Sequence, residues 1–328
     1  MTVRIGTRAS KLALTQSQQA ADQLAAVGGF PVELVRIKTE GDVRTGSLSQ
    51  MGGTGVFVAA LRDALLENAC DVAVHSLKDL PTGAAPGLTI AATPKRVDVR
   101  DALCARDGLK LADLPAGSRV GTGSPRRAAQ LRAARPDLDV VDIRGNVDTR
   151  LGRVPGLAGN AEDSPGDLDA VVLAAAGLER ISRLDVVTEF FETDVMLPAP
   201  GQGSLAIECR TADAPGQSDP AEGSQGALAQ ALAALNDEDT RLAVTAERAV
   251  LARLEAGCAA PVGAYAYRKG SMLYLEAVVC AVDGSASVRE KKASDGLTEV
   301  GATLLGIEVA ELLLSAGAAD ITDLAASR

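Results

Sequence analysis

Short apolar runs alternate with helical patterns through the first two thirds of the chain. This alternation predicts α/β units around a largely parallel sheet. Within it, 56–68 carries apolar residues at i, i+3 and i+4 spacing, which is typical of a helix with one buried face. The predicted strands are 3–5, 32–37, 72–75, 88–91, 119–121, 140–143 and 170–173. The fold class is therefore predicted to be α/β, with doubly wound domains.

Two segments, 4–10 and 119–124, share one pattern of strand, Gly-Thr turn and serine before a helix. Ser10 and Ser124 are suited to cap those helices, and Pro125 suits the first helical position, where a missing N–H costs nothing. The N–H groups at a helix N-terminus bind anions. We therefore expect two related α/β halves, each with an anion-binding helix N-terminus.

The last third of the chain predicts a smaller α+β unit. A helix over 237–256 is ended by Gly257, and a strand over 272–279 is followed by a turn and a final helix. Stretches 155–166 and 211–226 are rich in Gly, Pro, Ser and Asp, which is typical of surface insertions. At 328 residues the chain is long enough for three domains. The expected domains are 1–95 with 200–226, then 100–195, then 230–328.

Composition argues against nucleic acid and membrane as partners. The chain has 43 acidic and 33 basic residues, a net charge of -10, and only 2% aromatic residues. Such a chain repels polyanions and offers few rings for base stacking. The N-terminus lacks a signal-peptide pattern, and Glu308 and Glu311 interrupt the most apolar late stretch. We expect a soluble cytoplasmic protein.

Cysteine and histidine usage disfavours a metal site. The five cysteines are dispersed without metal-type spacing, which is typical of reduced thiols in a cytosol. His75 is the single histidine, and a position in the core or at a strand end suits it better than a hydrolase triad.

Arginines follow several of the predicted strands, where open α/β sheets place their ligands. The planar guanidinium donates two parallel hydrogen bonds and so suits carboxylates. We expect Arg132 and Arg153 to be solvated. Arg126 and Arg127 stand at a helix N-terminus, where their charge opposes the helix dipole unless a negative group is present. The other members of the set are Arg8, Arg144, Arg150 and Arg180.

Two further positions could carry chemistry. Lys78 and Asp79 follow a predicted strand and should lie at the carboxyl edge of the sheet, although an aspartate before Leu-Pro more often caps a turn. Cys258 stands on a connection between a helix-ending glycine and a proline. An accessible thiolate is a strong nucleophile, and no base is near it in sequence, so a covalent tether suits Cys258 better than turnover.

Eight motifs occur in an order that identifies a family. They are Gly-Thr-Arg-Ala-Ser at 6–10, Lys-Thr-Glu-Gly-Asp at 38–42, Gly-Val-Phe at 55–57, Val-His-Ser-Leu-Lys-Asp-Leu-Pro at 74–81, Gly-Thr-Gly-Ser-Pro-Arg-Arg at 121–127, Arg-Gly-Asn-Val-Asp-Thr-Arg at 144–150, Leu-Pro-Ala-Pro-Gly-Gln-Gly at 197–203 and Glu-Arg through Gly-Cys at 247–258. Over nearly its whole length the chain resembles the porphobilinogen deaminase (hydroxymethylbilane synthase) family.

The resemblance implies a fold and a reaction. The fold has two halves like periplasmic binding proteins and a small third α+β domain. The reaction condenses four porphobilinogen molecules head to tail on a dipyrromethane cofactor, with loss of ammonia, and hydrolysis releases hydroxymethylbilane. The family implies a cytoplasmic monomer of tetrapyrrole biosynthesis.

The resemblance also implies the role of each matching residue. Asp79 is the catalytic carboxylate, and Cys258 carries the cofactor through a thioether. The other implied cofactor-binding residues are Lys78, Ser10, Arg126, Arg127, Thr122, Ser124, Arg144 and Gln202. The implied substrate-binding residues are Arg8, Arg144, Arg150, Arg180, Gln16 and Phe57. The chain departs from the family's pattern at Thr54, where a lysine is common, at Lys11, where a proline is common, and at Gly123, where a serine is common.

Two alternatives remain from the residues alone. Two α/β halves with helix N-termini also describe a non-catalytic anion receptor. A receptor needs neither Asp79 nor Cys258, and the missing signal peptide counts against it. A nucleic-acid binder that uses the arginines is disfavoured by the acidic charge and the few aromatic residues.

Overall fold

The computed structural model describes residues 2–37, 55–157, 159, 166–217, 223–257 and 260–324, with side chains at all of these except 55–57 and 223–225. It divides into two compact units. The first unit comprises Met1–Arg96 and Ser204–Arg241, and the second comprises Val97–Gly203 and Leu242–Arg328. The finer division into three domains stays a prediction.

The regular elements alternate between strand and helix over most of the chain. The strands are β1 Val3–Thr7, β2 Val32–Arg36, β3 Val72–Ser76, β4 Leu88–Ala92, β5 Asp101–Ala105, β6 Arg119–Gly121, β7 Asp139–Val141, β8 Ala170–Ala174, β9 Glu189–Phe190, β10 Leu205–Arg210, β11 Val262–Lys269, β12 Met272–Cys280 and β13 Ser287–Ser294. The α-helices are α1 Lys11–Gly28, α2 Gly55–Leu66, α3 Pro125–Ala134, α4 Val147–Leu151, α5 Ala175–Arg180, α6 Gly223–Leu235, α7 Glu238–Arg253, α8 Glu299–Ser315 and α9 Ala318–Ile321.

A five-stranded sheet in the order β2-β1-β3-β10-β4 forms the centre of the first unit. β1 runs parallel to β2 and β3, whereas β10 is antiparallel to both β3 and β4. Val3, Ile5 and Val72 on the strands pack with Leu24 of α1 in one apolar cluster. The largely parallel sheet predicted here is confirmed, with β10 as the one reversed strand.

The second unit contains a sheet with the same order of strand directions. Its order is β7-β6-β8-β5-β9; β6 runs parallel to β7 and β8, and β5 is antiparallel to β8 and β9. The caps correspond as well, since Ser10 accepts a hydrogen bond from the Ala13 N–H at 3.3 Å and Ser124 accepts one from the Arg127 N–H at 3.5 Å. The two predicted related halves are confirmed.

A smaller antiparallel sheet, β11-β12-β13, also belongs to the second unit. Its residues alternate, so that Ala264, Leu273, Leu275 and Ala277 face a core completed by α7 and α8. Thr298 caps α8 by accepting from the Gly301 N–H at 3.0 Å. This part confirms the predicted α+β unit.

Some predicted boundaries differ from those observed. α6 begins at Gly223, inside the stretch predicted to be an insertion, and Asp213 in that stretch is buried. The buried aspartate is satisfied because Arg210 donates to it at 2.7 Å. Within the described ranges, no helix combines the length and the apolar character needed to cross a bilayer.

Candidate active site

In the first unit, the predicted site residues gather at the carboxyl edge of the sheet. β1 and β3 are parallel neighbours, with Ile5 opposite Val72. The chain continues from β1 into Arg8 and Ser10, and from β3 into Lys78 and Asp79. Strands that run parallel end at one edge of a sheet, where open α/β folds bind ligands.

Asp79 lies on a short 3-10 turn, Leu77–Asp79, and is half-buried. The turn is anchored by the buried Leu77 and Leu80, and the Leu77 N–H donates to the Ser204 carbonyl at 3.0 Å. The Asp79 carboxylate makes no hydrogen bond or ion pair with another described residue, so it does not cap the turn. An ionisable group is thus held at a fixed place with its acceptor oxygens available.

Gln16 ties α1 to the end of β3. It is buried, and its Nε2 donates to the Ser76 hydroxyl at 2.9 Å. The Ser17 hydroxyl donates in the same way to Thr7 at 2.7 Å. These bonds hold the segments that carry Ser10 and Asp79 in register with each other. Phe57 lies in α2, and its side chain is outside the described part of the chain.

His75 lies in the core of this unit, as expected. It is buried in β3, with its Nε2 3.2 Å from Oε2 of Glu208 on β10. Arg62 of α2 binds the same carboxylate, with Nη2 2.9 Å from Oε1. Burial raises the pKa of Glu208, but the hydrogen bonds and charges of His75 and Arg62 outweigh that effect and lower it overall. The result is a charged cluster that links β3, β10 and α2.

In the second unit, the predicted arginines gather at the corresponding edge. β6, β7 and β8 are parallel, and their carboxyl ends lead to Thr122 and Ser124, to Arg144, and to α5 with Arg180. Thr122 is buried, and its hydroxyl accepts from the Ser124 N–H at 3.2 Å.

Arg126 and Arg127, in the first turn of α3, share one internal carboxylate. Both are buried, with 3% and 5% exposure, and Asp101 of β5 has none. Arg126 Nη1 lies 2.8 Å from Asp101 Oδ2, and Arg127 Nη2 lies 2.8 Å from Oδ1. Gln202 donates to Asp101 at 2.8 Å. The negative group expected at this helix N-terminus is therefore supplied by the chain itself.

Sequence reasoning missed Asp101. Burial raises the pKa of its carboxyl, but the charges of Arg126 and Arg127 outweigh this and hold it well below its usual range. The one local signal is an acidic residue opening an apolar run, Asp101–Ala105, which is buried throughout. Asp101 is thus an ionised carboxylate inside the unit.

Arg127, Arg144 and Arg150 form a cluster of positive charge, here called the arginine cluster. Arg150 is half-buried, and its Nε donates to the Gly145 carbonyl at 2.8 Å. Burial lowers the pKa of Arg150, and repulsion from Arg127 and Arg144 lowers it further. Asp142 offsets part of this repulsion, because Nη2 of Arg144 lies 3.1 Å from its Oδ2 and its charge raises the pKa of Arg150.

The buried donors that lack an acceptor among the described residues include Nε of Arg126 and Nε of Arg180. Arg180 donates from Nη2 to the Gly203 carbonyl at 2.9 Å, and burial lowers its pKa to about 10. Arg132 and Arg153 are half-buried rather than solvated, contrary to expectation. Arg132 donates to the Val282 carbonyl at 2.8 Å, and Arg153 donates to Asp167 at 2.8 Å.

Four cysteines are free and buried: Cys70, Cys104, Cys209 and Cys280. Burial raises the pKa of all four thiols, to about 12 for Cys104 and Cys209 and to about 11 for Cys280. A raised pKa leaves little thiolate at neutral pH. Cys258, the predicted tether, lies outside the described residues, as do Thr54 and the motif at 38–42.

Two family models match the sequence. The first, described as "Porphobilinogen deaminase, dipyromethane cofactor binding domain", matches residues 3–218, and the second, "Porphobilinogen deaminase, C-terminal domain", matches residues 241–315. Among curated proteins, a porphobilinogen deaminase of Cutibacterium acnes is 56% identical, covering 99% of this chain and 98% of that protein. One of Thermobifida fusca is 53% identical, covering 99% and 97%.

Solved structures show a weaker likeness. A periplasmic substrate-binding protein of an ABC transporter from Coxiella burnetii aligns with TM-score 0.42 and 15% identity, over 71% of this chain and 91% of that one. The VFT2 domain of BvgS from Bordetella pertussis aligns with TM-score 0.39 and 14% identity, over 72% and 88%. Neither likeness bears on function at this level.

Proposed function

The chain belongs to the porphobilinogen deaminase family, and we infer that Asp79 is the carboxylate on which its reaction depends. The reaction is the head-to-tail condensation of four porphobilinogen molecules on a dipyrromethane primer, with loss of ammonia and release of hydroxymethylbilane by hydrolysis. The activity is that of a transferase of tetrapyrrole biosynthesis.

The state of Asp79 is the observation that carries this role. During carbon–carbon bond formation the attacking pyrrole of the substrate becomes cationic, and its N–H is a hydrogen-bond donor. A carboxylate that is already paired would be of little use to it. Asp79 is held on an anchored turn without a partner among the described residues, so it can accept from the pyrrole N–H and stabilise the charge as it develops.

The donors of the second unit fit a ligand that carries several carboxylates. The charges of Arg127 and Arg144 repel Arg150 and lower its pKa, and the buried Nε atoms of Arg126 and Arg180 need acceptors. A bound dipyrromethane supplies acetate and propionate groups and the terminus to which the first substrate is joined. The proposed cofactor-binding residues, which the family's pattern gives, are Arg126, Arg127, Arg144, Thr122, Ser124, Gln202, Ser10 and Lys78.

Cys258 is the residue to which that cofactor is attached in this proposal. The other four thiols are buried, and burial raises their pKa values, which makes them poor nucleophiles. The family resemblance assigns the tether to Cys258, and the burial of the other four thiols supports that assignment.

Incoming porphobilinogen carries two carboxylates, and arginine forks suit both. The proposed substrate-binding residues are Arg8, Arg144, Arg150, Arg180, Gln16 and Phe57. Gln16 already donates to Ser76, so its part is to hold the site and offer its amide oxygen. We further propose that the protein is cytoplasmic and monomeric. Sedimentation of the purified protein would test the monomeric state.

One assay separates this function from that of an anion receptor. The purified protein is incubated with porphobilinogen, and ammonia and hydroxymethylbilane are both measured. Catalysis requires the two to be released together, with four ammonia molecules for each tetrapyrrole. A receptor would bind porphobilinogen without releasing ammonia, and that result would overturn the proposal.

A further inference from the structure

We propose that Asp101 is a positioning residue for the reaction: it holds the Arg127 guanidinium in the orientation in which Arg127 joins the arginine cluster. This inference rests on the proposed function, because it assigns Asp101 a part in binding the carboxylates of the cofactor and the growing chain. Asp101 itself does not touch them.

The Asp101 carboxylate binds Arg127 along one edge of the guanidinium. Its Oδ1 accepts from Arg127 Nε at 2.9 Å and lies 2.8 Å from Nη2. On the opposite side of the fork, Nη1 of Arg127 donates to the Val172 carbonyl at 3.3 Å. With both sides held, the plane of the guanidinium cannot rotate, and any remaining N–H must point in one direction.

Gln202 completes this arrangement. Its Nε2 donates to Asp101 Oδ1 at 2.8 Å and to the Val99 carbonyl at 2.8 Å, and its Oε1 accepts from Arg127 Nη2 at 3.4 Å. Asp101, Arg127 and Gln202 thus form a closed ring of hydrogen bonds. In such a ring each member fixes the orientation of the other two.

The two arginines on Asp101 have different surroundings. Arg126 Nη1 donates to the Leu197 carbonyl at 2.6 Å as well as to Asp101, so that end of its guanidinium is tied into the interior. The charge of Arg127, in contrast, is felt at Arg150 and lowers the pKa of that residue. Asp101 therefore connects one interior arginine with one arginine of the cluster.

The charges at this point do not balance. The fully buried carboxylate of Asp101 faces the two buried guanidinium groups of Arg126 and Arg127. These three groups together have a net charge of one positive unit. Burying an unbalanced charge is costly, and stability alone would favour a neutral pair. The surplus is useful where a ligand carboxylate binds, because the site then reaches balance only when the ligand is present.

The test compares Asp101→Asn with a matched control, Asp98→Asn. Asp98 lies three residues earlier and pairs with Arg100 at 2.9 Å, but about a third of each side chain is exposed. Two quantities are measured on each variant at a temperature where it is folded: the fraction of chains carrying the dipyrromethane adduct, by intact mass, and KM and kcat for porphobilinogen.

We expect Asp101→Asn to raise KM about tenfold or more, the value of one charge-assisted hydrogen bond, and to reduce the adduct-bearing fraction. Asp98→Asn should change neither. Asp101→Glu keeps the charge, so its KM should lie between those of Asp101→Asn and the wild-type protein. Unchanged KM and loading in folded Asp101→Asn would overturn the proposal. If the wild-type protein itself carries no adduct, the proposed function fails instead.

A double variant covers the case in which Asp101→Asn does not fold. Asp101→Asn with Arg126→Gln has the original net charge at this position, and it is compared with Arg126→Gln alone. A positioning role predicts a KM at least several-fold higher in the double variant. Equal KM and equal loading in the two folded proteins would contradict the proposal.

Discussion

The carbonyl oxygen of Ile143 lies 2.5 Å from the point that a Cβ atom would occupy on Gly123. Gly123 stands between Thr122 and Ser124, and the Ile143 N–H donates to the Thr122 carbonyl at 3.4 Å. The two backbone segments therefore approach so closely that a side chain at 123 must push one of them away.

Replacing Gly123 by serine is therefore expected to destabilise the protein by about 1–3 kcal/mol, the usual cost of overpacking. Thermal unfolding measures it. Gly177→Ala is the control, because that helical glycine has open space around its Cα and alanine there should stabilise by up to about 1 kcal/mol. A Gly123→Ser protein as stable as wild type would show that the Ile143 segment moves without cost.

Glu208→Gln tests the charged cluster of the first unit. Removing one partner from a buried pair leaves Arg62 and His75 without their carboxylate, so we expect a loss of about 3 kcal/mol in the free energy of unfolding at pH 7. Denaturant unfolding measures it. The exposed pair of Arg253 and Glu311 provides the control, and Glu311→Gln should cost less than about 1 kcal/mol.

The same variant has a predicted pH dependence. The folded-state pKa of Glu208 lies below its ordinary value of 4.5. Its contribution to stability is therefore fully present above that value and is lost as the pH falls through the lower folded pKa. The difference between wild type and Glu208→Gln should be constant near neutral pH and shrink below about pH 4.5. A difference that grows on acidification would contradict the cluster as described.

Arg150→Gln should separate binding from stability. Arg150 is repelled by Arg127 and Arg144, so removing its charge should leave the melting temperature unchanged or raise it. KM for porphobilinogen should rise about tenfold, through loss of a charge-assisted bond. Arg153→Gln is the matched control: it loses the Asp167 ion pair and some stability, but not substrate affinity. Unchanged KM in Arg150→Gln would remove Arg150 from the site.

Asp79→Asn should abolish most of the activity without unfolding the protein. The amide keeps the size of the side chain but lacks the negative charge, so kcat for hydroxymethylbilane formation should fall by about 10²–10³. Asp63→Asn, at an exposed position of α2, is the control and should be fully active. Near-normal turnover in Asp79→Asn would show that the charge is supplied elsewhere.

Local sequence patterns were enough to predict those strands and helices whose bounds are set by neighbouring residues. β1 and α1, and likewise β6 and α3, follow from an apolar strand, a tight turn and a serine that caps the next helix through its own hydroxyl. Lys78 and Asp79 could be placed at a sheet edge for the same reason, since they directly follow β3.

Features that depend on distant partners were missed. β5 and β10 were not predicted as strands, because nearly continuous burial removes the alternation that marks a half-exposed strand. Nor does any local signal give the antiparallel direction of these strands. Asp101 was missed because its partners Arg126 and Gln202 are 25 and 101 residues away in sequence. The roles of Asp79 and Cys258 came from the family resemblance.

The covalent tether is the central claim, and intact mass under denaturing conditions tests it most directly. Wild-type protein should carry an adduct of two pyrrole units, Cys258→Ser should carry none, and Cys280→Ser, at a buried thiol, should keep it. An unmodified mass in active wild-type protein, or an adduct that persists in Cys258→Ser, would contradict the assignment of Cys258.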